Sequence, residues 1–271
     1  MYWCTIDVRT RRFLSGEDER SGGELELYKA LGIEVGDVVA FVGAGGKSSA
    51  ILQIADELLR TGLPVLVAPT TKMFLGEAER VGSILISEDM EKLSVDVAEA
   101  LANGGAVVAG SAMLSKKRIR GVEPAWMPSL APERGVTLVE ADGARRRPVK
   151  GTAEHEPLLP EGTMLVVAVG GLRGLGQPVD EEHVHRPEVF SKITGVGPGH
   201  TIEAPAFARA LLAGLRNAPE NARRAALLVD VEPGPRMARA SVVARELWRD
   251  GVRDVILSSL PEESPGRVWV L

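Results

Sequence analysis

The segment Gly43-Ala44-Gly45-Gly46-Lys47-Ser48 sets three glycines beside a cation and a hydroxyl, and those residue types suit a phosphate cradle. Gly43, Gly45 and Gly46 reach backbone angles closed to other residues, so consecutive N–H groups can turn toward one anion. Lys47 offers a point charge to phosphate oxygens, and Ser48 an oxygen of the kind Mg²⁺ accepts. Ser49 adds a second hydroxyl. In the usual Gly-x-x-x-x-Gly-Lys pattern the first glycine would fall where Phe41 stands, so the loop is a shorter variant. The competing reading is a glycine-rich turn that carries an incidental lysine.

Such a loop needs a strand before it and a helix after it. Val38–Val42 is an uninterrupted apolar run, and from Lys47 the pattern is helical to about Leu59. The helix start adds the positive end of its dipole. Further strands are expected at 63–68, 83–86, 106–109, 135–140, 163–169, 225–231, 252–257 and 268–270. Helices are expected from an Asp89 cap to about Ala102, over 206–215 and over 236–248. This alternation predicts an α/β fold: a mostly parallel sheet with right-handed crossovers and helices on both faces, a P-loop NTPase-like three-layer sandwich.

Ligands of open parallel sheets bind beyond the carboxyl ends of the strands, which singles out further residues. Thr70, Thr71 and Lys72 follow the second strand, with a capped helix start as the alternative. Glu140 and Asp142 stand where an apolar strand runs out. Two apart on an extended chain, they point to one side and can both reach Mg²⁺, unless Asp142-Gly143 is only a turn. The run Arg145-Arg146-Arg147-Pro148-Val149-Lys150 is either a solvated loop or a seat for an anionic substrate or triphosphate. His183 and His185, with Glu181 and Glu182 beside them, read as a metal site or, more commonly, a polar loop.

Bulk properties narrow the class. The 271 residues are 45% hydrophobic and 25% charged, ordinary for a globular chain, and the 4% aromatic content leaves the core to Val, Leu, Ile and Ala. A net charge of −5 argues against a general nucleic-acid binder. The lone cysteine, Cys4, excludes an internal disulfide and a thiolate metal cluster. No apolar run approaches the ~18 residues of a membrane span, and MYWCTIDVRTRRF lacks a signal-peptide core, so no membrane partner and a cytoplasmic location are expected. Residues 1–23 read as a flexible extension and 24–271 as one nucleotide-binding domain. Only eight of the 32 basic residues are lysines, which draws attention to Lys47, Lys72 and Lys150.

The segments VGAGGKSS (42–49), APTTKMF (68–74), EADGARRRPVKG (140–151), GLRGLGQPV (171–179) and HRPEVF (185–190) occur in the same order as in the YqeC family, the accessory proteins of selenium-dependent molybdenum hydroxylases, which this chain resembles. The short glycine loop also resembles that of ATP-dependent peptide ligases of cell-wall synthesis. The family resemblance implies a P-loop protein that binds ATP or GTP with Mg²⁺ and helps mature a molybdenum enzyme. By position it implies that Gly43, Ala44, Gly45, Gly46, Lys47, Ser48 and Ser49 hold phosphates. Thr70, Thr71, Lys72, Glu140, Asp142 and Lys150 would ring the terminal phosphate, with Ser48, Glu140 and Asp142 at the metal. His185, Arg186 and Glu188 would form a polar cluster on the rim. Lys47, Glu140, Asp142, Lys150 and His185 are the candidate catalytic residues of a slow NTPase. Two rival expectations are a kinase or ligase acting on a cofactor precursor and a nucleotide-switched chaperone without turnover. Leu228-Val229-Asp230-Val231-Glu232 departs from the Leu-Asn-x-x-Asp segment that family members often carry, which leaves guanine preference open.

Overall fold

The computed structural model describes residues 5–7, 12–14, 25–232, 234–259 and 268–270. Among these, nine strands make one sheet: β1 (Val38–Ala44), β2 (Val65–Val67), β3 (Ser83–Ile86), β4 (Ala106–Gly110), β5 (Val136–Glu140), β6 (Leu165–Gly171), β7 (Arg223–Val229), β8 (Asp254–Ser258) and β9 (Val268–Val270). Their order is β9-β8-β7-β6-β1-β5-β2-β4-β3. Every neighbouring pair is parallel except β8 with β9. The main helices are α1 (Lys47–Arg60), α2 (Leu75–Val81), α3 (Met90–Ala102), α4 (Pro187–Thr194), α5 (Ala204–Leu215) and α6 (Pro235–Arg249).

Two hydrophobic cores lie on opposite faces of the sheet. Along β1, Val38, Ala40 and Val42 enter the core beneath α3, α5 and α6, while Val39 and Phe41 enter the core beneath α1. Burial on both faces explains why the strand reads as an unbroken apolar run. On α1 the buried residues Ala50, Ile51, Ile54, Ala55 and Leu58 recur with the helical period. Asp89 caps α3 by accepting the Lys92 N–H at 3.0 Å. The sheet places β1 between β5 and β6, with later strands on both sides. A crevice therefore opens beyond its carboxyl end.

Some elements differ from the expected pattern. Instead of a capped helix start, the chain after Thr71 forms a short strand, Lys72–Phe74, in an antiparallel sheet with Arg118–Arg120 and Ala112–Ser115. Met73 and Ile119 anchor it in the core. Helix α4 begins with Pro187 in its first turn, buries Phe190 and Thr194, and ends on left-handed Gly195. The expected flexible extension over 1–23 falls outside the described residues, apart from Thr5–Asp7 pairing antiparallel with Arg12–Leu14. No helix among the described residues is long and apolar enough to cross a membrane.

Candidate functional site

The loop between β1 and α1 is shaped by contacts that exclude side chains. Gly43 sits at φ +92°, and a Cβ there would collide with the Val169 carbonyl. Gly45, at φ +78°, would bring a Cβ to 2.9 Å from the Gly171 backbone. Close approach by β6, as well as the turn itself, therefore demands glycine. Gly46 is the N-cap of α1 and no side chain caps that helix. The N–H groups of its first turn remain available to an anion. Ala44 is buried opposite Gly170, and Ser49 is exposed.

Beneath the loop runs a chain of alternating charges. The Lys47 ammonium donates to the Gly43 carbonyl at 2.7 Å and lies 3.1 Å from Asp142 Oδ1, a contact outside hydrogen-bond geometry. Asp142 Oδ2 accepts the Gly43 N–H at 2.9 Å and the Lys150 ammonium at 2.8 Å. Lys150 continues to Glu156 at 2.7 Å, and Glu156 is held by both terminal nitrogens of Arg186, at 2.6 and 3.1 Å. Asp142 is 0% exposed, Lys150 3% and Lys47 5%. Burial works against the charge on Lys47, but Asp142 and Glu140 outweigh it and raise the pKa. Three cations alternate with two carboxylates along this chain of contacts, and Glu140 adds a third carboxylate close enough to act on Lys47.

The carboxylates at 140 and 142 do not share partners. Glu140, the last residue of β5, accepts from Ser48 Oγ at 3.1 Å. Asp142 lies past the strand end and turns inward to the two lysines. Of the three side chains expected at a metal, Ser48 and Glu140 meet, and Asp142 is committed elsewhere. A hydroxyl and a carboxylate oxygen side by side fit the hard-oxygen preference of Mg²⁺. Burial pushes the Glu140 carboxyl up, with Lys47 opposing. Thr70 donates its N–H to the Glu140 carbonyl at 3.1 Å and its hydroxyl to the Leu158 carbonyl at 3.0 Å. Thr71 Oγ1 is buried without a partner, whereas Lys72 is exposed at the start of its short strand.

Arg145 and Arg146 both lie in the left-handed region, at φ +48° and +61°, as do Arg186 at +60° and Asp230 at +61°. They are the non-glycine residues with positive φ among those described, and such strain concentrates at functional sites. Arg146 and Arg118 each stack 4.4 Å from the centre of the Phe74 ring, and Arg147 donates to the Glu181 carbonyl. The two-histidine metal reading fails. His183 pairs with Asp180 at 2.8 Å, and no group of three or more His, Cys, Asp or Glu gathers as a metal site among the described residues. His185 lies on a short strand, Val184–His185, that pairs with Val149–Lys150.

Glu156 joins Lys150 to Arg186 and escaped the sequence reading. The one clue was that a lysine buried beside an apolar strand needs carboxylates on more than one side.

Acid should loosen this cluster in two stages. Burial, then Arg186, Lys150 and Arg145, lower the His185 pKa from 6.5 to about 4. Burial opposes ionisation of Glu156, yet hydrogen bonds from Arg186 and Lys150 lower its carboxyl from 4.5 to about 2. Each group binds its proton less readily folded than unfolded, so each favours the fold at high pH and stops doing so as pH falls. Urea unfolding is expected to show stability declining between pH 6.5 and 4 through His185, and between 4.5 and 2 through Glu156. His185→Gln should flatten the first decline; an unchanged profile would remove His185 from this account.

The family model described as YqeC protein matches residues 39–188. The chain belongs to the YqeC family. A relative from Escherichia coli (strain K12), the uncharacterized protein YqeC, is 33% identical over 192 residues, which cover 69% of this chain and 73% of its own length. No solved structure gives a significant match. The stretch shared with the YqeC model runs from within β1 to the start of α4 and so includes the glycine loop, Glu140, Asp142, Lys150, Glu156 and His185.

Proposed function

We propose that the protein binds a nucleoside triphosphate, ATP or GTP, with Mg²⁺ at the carboxyl end of β1, hydrolyses it slowly, and thereby assists maturation of a selenium-dependent molybdenum hydroxylase. The observation that carries the chemistry is the Ser48–Glu140 contact beside the uncapped start of α1 and the buried Lys47. In this reading Lys47 and the first-turn N–H groups hold the phosphates. Ser48 and Glu140 would hold Mg²⁺, which supplies positive charge against that developing on the transferred phosphoryl group.

Asp142 fixes both lysines and the Gly43 N–H, so it serves as a positioning residue. His185, lowered to about 4, stays neutral at physiological pH and is a weak base. Glu140, beside Ser48 at the metal position, would order an attacking water through the Mg²⁺ shell rather than as a free base. Thr71 offers its unpartnered hydroxyl to the ligand from the next strand end. The client enzyme is inferred from the resemblance in the five ordered segments.

Calorimetry with ATP and GTP in Mg²⁺, alongside phosphate release, tests the reading. Binding by neither nucleotide would end it. Glu140→Gln is expected to raise the Mg²⁺ needed for half-maximal turnover by about tenfold, as loss of a residue supporting a metal typically does. A second reading, transfer to an anionic acceptor, is favoured by the exposed, strained Arg145 and Arg146 next to Lys150. Labelled ATP separates the two: label in an acceptor supports transfer, and label only in inorganic phosphate supports hydrolysis. Binding without turnover, coupled to a changed affinity for the molybdenum enzyme, would support a nucleotide-switched chaperone.

A further inference from the structure

On the flank of the glycine loop away from Glu140, the strand ends of β6 and β7 carry features that phosphate binding does not use. Gly45 packs against Gly171, the last residue of β6, and Gly46 packs against Val229, the last of β7. Asp230 follows directly, strained at φ +61°. Its Oδ2 is buried, accepts no hydrogen bond and lies 3.8 Å from Arg173 Nε. Burial raises its pKa, opposed by the charges of Arg173 and Arg236 and by the Arg173 backbone N–H near the carboxyl, which still leaves Oδ2 without a hydrogen bond. An acceptor oxygen buried without a donor is unfavourable unless a ligand supplies one.

Next to it opens a cavity of about 210 Å³, walled by Leu172, Arg173, Leu175 and Gln177 after β6, and by Arg236 and Arg239 on α6. Leucine and guanidinium walls suit a flat, polar-edged ring, since arginine stacks on such faces. The volume lies below the roughly 300–1,000 Å³ that encloses a complete ligand. It therefore suits one end of a ligand whose remainder lies elsewhere.

Direction decides which end. The metal-side oxygens of Ser48 and Glu140 lie on the β5 flank of the loop, so a terminal phosphate drawn to them leaves the rest of the nucleotide running toward β6 and β7. We propose that this cavity receives the nucleoside, with Arg173 and Arg239 against its faces and Asp230 accepting N–H groups from the edge of the base. The inference rests on the nucleotide reading above. It draws on both sides of the boundary of the YqeC match: Arg173 lies inside the matched stretch, which ends at residue 188, and Asp230 and Arg239 lie beyond it.

Titration of the intact protein with ATP, GTP and inorganic tripolyphosphate, all with Mg²⁺, tests it. Tripolyphosphate fills the phosphate seat alone. Wild type should bind at least one nucleotide about tenfold or more tightly than tripolyphosphate, an energy of the size expected for one charge-assisted hydrogen bond. Arg239→Ala, at an exposed position, and Asp230→Asn, which keeps the shape, should each remove most of that advantage and leave tripolyphosphate binding within about twofold. Equal binding of tripolyphosphate and both nucleotides by wild type would overturn the proposal while sparing the phosphate seat. Variants that weaken all three ligands alike would overturn it too. Binding of none of the three would overturn it together with the reading beneath it.

Discussion

Lys47→Ala is expected to weaken binding of the magnesium nucleotide at least a hundredfold. The ammonium is buried, held 2.7 Å from the Gly43 carbonyl and 3.1 Å from Asp142, so its position is set before any anion arrives. A charge-assisted hydrogen bond contributes about 1.5–3 kcal/mol, and two to adjacent phosphate oxygens account for a factor of that size. The methyl side chain would also leave Asp142 with one lysine instead of two. A melting curve without ligand therefore belongs beside the calorimetry. Unchanged affinity in a folded variant would show that the loop is not the phosphate seat.

Asp142→Asn should cause the largest loss of stability, about 3–5 kcal/mol, the usual range when one partner is taken from a buried ion pair. The asparagine carbonyl can still accept the Gly43 N–H. Its amide nitrogen would then face Lys150 or Lys47, and no charge would remain between the two ammonium groups. Urea unfolding at neutral pH measures the difference. A loss below about 1 kcal/mol would mean that Glu140 and Glu156 suffice to hold both lysines. Lys150→Met is the useful companion, because it removes a cation and relieves the crowding that Asp142→Asn creates. The double variant should be less damaged than the sum of the single ones.

The parts legible in the sequence were those whose signal is local. Strands buried on both faces read as apolar runs, and the glycine loop with its following helix read from spacing alone. Asp89 announced its helix because a cap is a short-range contact. The antiparallel strands near 72–74 and 112–120 were not legible. Arginines flank Ile119, and only it and Met73 reach the core, so the pattern resembles a charged loop.

The site divided along the same line. Gly43 to Ser48 and Glu140 stood out by type and place. Spacing set Asp142 beside Glu140, yet two long-range contacts, Gly43 and Lys47, and the nearer Lys150 turn it the other way. Glu156 and Asp230 were harder still. Glu156 matters through distant Arg186 as well as nearby Lys150, and Asp230, although its segment drew notice, matters through Arg173 on another strand end.

With β1 fifth among nine strands, the glycine loop springs from the part of the chain that water reaches last. Deuterium should enter the amides of Val39 to Val42 only through global opening, whereas those of Val268–Val270 on the outermost strand should label early. The floor of the seat is thus already rigid before any guest arrives. Whatever ordering accompanies binding falls on the surrounding loops, at 70–72, 141–150 and 172–177.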